Sequence, residues 1–97
     1  MATYIILVNL TDQGIRNVKE SPARLKSVQT LAEKFGVKLH SAYYTIGQFD
    51  MVSVMEGTDE AVTALLLKIG SGGFVRTQSL RAFAVEEMEQ IVGKLPQ

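Results

Sequence analysis

Residues 4–10 form a continuous apolar run broken only by Asn9. Ile and Val dominate it without polar alternation, so it reads as a strand buried on both faces. Residues 11–20 are a polar connector around Gly14, with Ile15 and Val18 as a short apolar pair. Ser21-Pro22 announces a helix, with Ser as its N-cap and Pro at its first helical position. Leu25, Val28, Leu31, Ala32 and Phe35 then recur at helical spacing. Gly36 stands where a left-handed C-terminal residue belongs. The pattern predicts a helix over 22–35.

Residues 37–46 and 49–56 read as two further strands. Gly47-Gln48 between them fits a two-residue hairpin with Gly at its first central position. Thr58 caps a second helix, whose first turn carries Asp59 and Glu60 at the positive end of the dipole. Val62, Leu65, Leu66 and Ile69 make an i, i+3, i+4, i+7 stripe along it, and Gly70-Ser71-Gly72-Gly73 ends it. Residues 74–83 return as a strand. A last helix opens at Glu86-Glu87, carries Met88, Ile91, Val92 and Leu95 on one face, and closes before Pro96. No repeat, linker or low-complexity segment divides the chain, so residues 1–97 are expected to form one domain.

Strand, helix, strand, strand, helix, strand and a C-terminal helix predict an α+β fold of the ferredoxin-like, split βαβ type. Its antiparallel four-stranded sheet has the order 4-1-3-2, which makes the first and third strands central. They are the most apolar, while the edge strands carry Lys38, His40, Arg76, Gln78 and Arg81, as edges do.

Two crossover helices cover one face of such a sheet. A wet second face would make the central strands alternate, and they do not. An apolar face of that size needs a cover, either the last helix or another copy of the chain. The last helix is short, which favours two copies packed face to face. A two-residue turn would set Tyr44 opposite Met51, Ala42 opposite Ser53 and His40 opposite Met55. With Val52 and Val54 toward the helices, these residues join Ile5, Leu7 and Asn9 on the uncovered face. The result is an apolar floor with Asn9, His40, Tyr44 and Ser53 as its polar groups, suited to a small ligand or to a dimer core.

Composition narrows the classes. Ten Lys and Arg balance ten Asp and Glu, so no net charge draws the chain to nucleic acid or to an anionic membrane. The absence of cysteine excludes disulfides, thiolate metal sites and cysteine catalysis, and fits a cytoplasmic protein. The first apolar run is too short for a signal peptide or a membrane span.

Residues 43–50, Tyr-Tyr-Thr-Ile-Gly-Gln-Phe-Asp, resemble the signature stretch of the GYD-domain family. Residues 4–11, Gln13-Gly14-Ile15, Val75-Arg76-Thr77 and Leu80-Arg81-Ala82-Phe83 are similar to other parts of that family in order and spacing. Gly47 and Asp50 match its motif, whereas Phe49 replaces its tyrosine, which removes any role for that phenol. The resemblance implies a dimeric α+β-barrel protein whose subunits pair their open sheet faces. Members of that wider group include monooxygenases, decarboxylases and haem-degrading enzymes, and the GYD family itself has no settled activity. The resemblance therefore sharpens fold more than function.

Individual residues give weaker signals. His40, the single histidine, is a candidate general base, although an edge residue bonded to a neighbour is the plainer account. No second histidine and no ligand spacing point to a metal, and no cofactor is implied. The glycine-rich stretch at 70–73 follows a helix and lacks a P-loop lysine, so it reads as a turn. Arg76 and Arg81 fall on opposite faces of the last strand; a solvated edge-strand charge is the plainer account of both, and Arg76 is the candidate for an anionic ligand or an interface carboxylate. Asp50 is expected to accept backbone donors beside the turn, with catalysis as the alternative, and it stands among the ligand-binding candidates. Met51 and Met55 are packing residues.

Three functions fit. The first is a homo-oligomeric binding or accessory domain with a small organic molecule in a cavity on the sheet. The second is a cofactor-independent enzyme using His40 or Tyr44 as proton acceptor. The third is a purely structural assembly module.

Overall fold

The computed structural model describes residues 1–97. Strand β1 spans Ala2–Leu10, β2 Lys38–Tyr44, β3 Met51–Gly57 and β4 Val75–Ala82. They form one antiparallel sheet in the order β2-β3-β1-β4, which read from the β4 edge is 4-1-3-2. Helices α2 (Ser21–Lys34) and α3 (Asp59–Ser71) make the two crossovers. Burial falls on their shared side of the sheet: Ile6 and Val8 of β1 and Met51 and Met55 of β3 meet Ala32 of α2 and Val62 and Leu65 of α3.

Local chemistry explains the helix limits. The Thr58 hydroxyl accepts the Ala61 N–H at 3.1 Å and starts α3. That helix runs through Gly70 and Ser71, beyond the end expected from the glycine cluster, because α-helical backbone needs no positive φ. The turn itself falls to Gly72-Gly73, where Gly73 takes φ +84°. Ser21 is the first helical residue and not the N-cap; Pro22 lies in the first turn as expected.

The connector 11–20 is more ordered than its polarity suggests. Thr11 caps a short helix α1 (Asp12–Arg16) by accepting the Gly14 N–H at 3.1 Å, and a 3₁₀ turn covers Val18–Glu20. Thr11 also donates its N–H to the Phe74 carbonyl at 3.0 Å and its hydroxyl to the Gly73 carbonyl at 2.6 Å. Gly14 is buried against Phe74, and a β-carbon there would overlap the Phe74 carbonyl.

Three expectations about the β2–β3 hairpin need correction. Its loop is not two residues long: the strands stop at Tyr44 and start at Met51, and the Thr45 N–H donates to the Asp50 carbonyl at 2.9 Å. The added residues are shared equally between the two sides, so Tyr44 still opposes Met51 and Ala42 still opposes Ser53. His40, in contrast, does not oppose Met55. The register shifts between Leu39 and Ser41, and Leu39 takes the place opposite Met55. Such a shift adds an unpaired residue and bends an edge strand. Third, the faces of β3 are exchanged relative to expectation. Met51, Ser53 and Met55 point to the helices, because they pair with Val8, Ile6 and Tyr4 on β1. Val52 and Val54 pair with Leu7 and Ile5 and lie on the open face.

Helix α4 (Val85–Gly93) starts where the Ala84 N–H donates to Glu87 Oε1 at 2.9 Å. None of its residues is buried, and Val85, Met88, Ile91 and Val92 leave an apolar stripe in solvent. It therefore does not cover the open face of the sheet.

Candidate functional site

The polar groups expected to share one face are divided by the fold. Asn9 is exposed on the open face, with Arg76 opposite it on β4. Ser53 is 4% exposed on the helix face. Tyr44 also lies on that face, at the β2 edge, where its hydroxyl oxygen is 2.7 Å from that of Ser21. His40 sits at the register shift and points its Nε2 at Glu56 Oε1, 2.7 Å away. That hydrogen bond from His40 holds the Glu56 carboxyl below its ordinary range; desolvation opposes it, and the charges of His40 and Lys38 add to it. Asp50 does accept a backbone donor, though from a different strand than expected. Its Oδ2 takes the Leu10 N–H at 2.8 Å, and its own N–H donates to the Val8 carbonyl at 2.8 Å. The proposed set of Asn9, His40, Tyr44 and Ser53 around one cavity on the open face is thus not assembled.

The concave feature lies on the other side. A groove of about 270 Å³ runs between α2 and α3 over the sheet. Ile6, Val8, Met51, Ser53 and Met55 form its floor, Leu25, Val28 and Leu31 of α2 one wall, and Leu66 and Ile69 of α3 the other. Phe74 and Val75 also line it. Arg24, Ser27, Lys68 and Thr77 bring polar atoms to it, and no acidic side chain lines it. The Arg24 guanidinium stacks 4.1 Å from the Phe74 ring centroid and donates to the Asn17 carbonyl at 3.2 Å. Cation–π contact and one hydrogen bond hold the head in place while most of its donors stay free. The lone ion pair is His40–Glu56, so neither groove cation is neutralised by a carboxylate.

Sequence reasoning missed Arg24 and Lys68. The signal was present: Ser21, Arg24 and Val28 share one flank of α2 at i, i+3 and i+7, and Lys68 follows Leu65 by three. No group of three His, Asp or Glu side chains clusters to hold a metal ion, and no helix is long and apolar enough to cross a membrane.

Comparison with known proteins places this geometry. The family model described as GYD domain matches residues 4–92. A protein of Thermus thermophilus named "glutamine synthetase and cystathionine beta-lyase binding protein" is 38% identical over 90 residues, covering 91% of this chain and 95% of that one. The crystal structure of FFRP-DM1 superposes with a TM-score of 0.60 at 20% identity, over 86% of this chain and 100% of that chain. The last likeness concerns the α+β fold alone.

Proposed function

The chain belongs to the GYD-domain family, and from that premise we propose that it is a homo-oligomeric accessory domain. Copies pair through the open face of the sheet, and the groove on the opposite face takes a small organic molecule. One observation carries this reading: two apolar surfaces of different shape lie on opposite faces of one sheet. The open face, with Ile5, Leu7, Val52, Val54 and Leu80, is broad and comes from the strands alone. A surface of that kind suits self-association. The groove is concave and mostly apolar with a few polar atoms, which suits a small ligand. Asn9 and Arg76 border the open face and would meet polar groups of a second copy. The Thermus relative, named for the enzymes it binds, supports an accessory role and makes an enzyme the partner to try first.

Sedimentation equilibrium tests the reading. The purified chain is expected at no less than twice 10.6 kDa. Leu7→Lys, which places a charge in the middle of the open face, is expected to give a monomer with an unchanged far-ultraviolet circular dichroism spectrum. A stable monomer of the unaltered chain at micromolar concentration would overturn the proposal.

A further inference from the structure

We propose that the groove between α2 and α3 selects an amphipathic monoanion: a molecule with a short apolar tail and one acidic head. The inference rests on the groove being a small-molecule site and adds the chemistry of its occupant. Three observations carry it. The first is the floor. Ile6, Met51 and Met55 close the groove below almost without exposure, the half-buried Leu25, Val28 and Leu66 offer hydrocarbon over them, and methionine adapts to tails of differing shape. The second is charge. The chain is neutral overall, yet the groove carries Arg24 and Lys68, one from each helical wall, and no carboxylate. Desolvating an apolar tail beside two uncompensated cations favours a ligand that brings a negative charge with it. The third is the fixed position of Arg24. Its stacking on Phe74 restrains the guanidinium before any ligand arrives, so less rotamer freedom is lost on binding.

Size restricts the tail. A groove of about 270 Å³ lies near the lower end of small-ligand pockets, which run about 300–1,000 Å³. That suits a medium-chain carboxylate. The amphipathic α4 of a second copy, acidic in its first turn, is the competing occupant.

Octanoate, octanol and octylammonium are suitable probes, each titrated calorimetrically into the full chain. Octanoate is expected to bind at least tenfold more tightly than octanol, with octylammonium weakest. Arg24→Met and Lys68→Met should each reduce octanoate affinity several-fold and leave octanol unchanged, while Arg24→Lys, which keeps the charge and loses the stacked fork, should fall between Arg24→Met and the unaltered chain. Val28→Trp, which narrows the groove, should abolish binding of both octanoate and octanol. Lys68 is exposed, so its variant tests the charge even if changes at Val28 impair folding. Equal affinity for octanoate and octanol, or octanoate binding indifferent to both cation variants, would overturn the anion inference and leave the groove a small-molecule site. No binding of any probe at millimolar concentration would overturn both readings of the groove. Loss of self-association in Val28→Trp would also overturn it, since a second copy would then be the occupant.

Discussion

The Asp50 carboxylate and the Leu10 N–H meet at 2.8 Å across forty residues of sequence. Together with the Asp50 N–H on the Val8 carbonyl, this contact ties the β2–β3 loop to the end of β1. A charged acceptor on a half-buried backbone donor contributes about 1.5–3 kcal/mol. Asp50→Ala is expected to lose that amount, seen as a lower urea midpoint at unchanged slope. A loss below about 0.5 kcal/mol would mean that water replaces the carboxylate at Leu10.

A second prediction concerns the close approach of Gly14 to the Phe74 carbonyl. Gly14→Ala forces backbone apart, because the obstructing atom belongs to the main chain and not to a flexible side chain. Overpacking of this kind costs about 1–3 kcal/mol. Thermal unfolding should show it as a lowered Tm. Phe74 lines the groove and carries the stacked Arg24, so octanoate affinity should fall in the same variant. A Tm equal to that of the unaltered chain would show that α1 shifts freely.

Element order was legible because each segment carries its own period. The stripe Val62, Leu65, Leu66, Ile69 admits one reading, and Thr58 before Asp59-Glu60 fixes where it starts. The phase of β3 was not legible. Val52 and Val54 on one face and Met51 and Met55 on the other are equally apolar, so hydrophobicity could not decide which set meets the helices. Loop length was hidden for a related reason: a two-residue turn at 47–48 and the observed longer loop give Tyr44 the same partner, Met51. The shift at His40 leaves no compositional mark, and it moved that residue from its expected place opposite Met55 to a pair with Glu56. The groove cations were visible as residues but not as a pair, since they belong to helices whose relative placement depends on the sheet.

The His40–Glu56 pair predicts a pH dependence. The folded state depresses the Glu56 pKa, so the carboxylate contributes stability above its unfolded value, and that contribution is lost as pH falls through the folded value. The window lies on the acid side of the ordinary glutamate range. Both side chains are more than a third exposed, so the effect is small and screened by salt. Glu56→Gln should lower Tm slightly near neutral pH, and the difference should shrink as pH falls through the acid side of the glutamate range. A difference that persists in acid would assign the effect to packing and not to charge.

Tyr44 and Ser21 give the last prediction. Their hydroxyls form the polar link between the β2 edge and the start of α2, and Ser21 is 5% exposed. Tyr44→Phe leaves the Ser21 hydroxyl without that partner in a nearly dry place, at a cost of about 1–3 kcal/mol. Ser21→Ala alone leaves the phenol on an exposed edge strand, where water replaces the lost partner, so it should cost less. Removing both groups takes away the unpaired atom along with the bond. The double variant should therefore be less destabilised than the two single changes added together, with a coupling of about 0.5–1.5 kcal/mol in a double-mutant cycle of urea unfolding. Strict additivity would mean that the two hydroxyls act independently and that α2 is positioned over the groove by apolar packing alone.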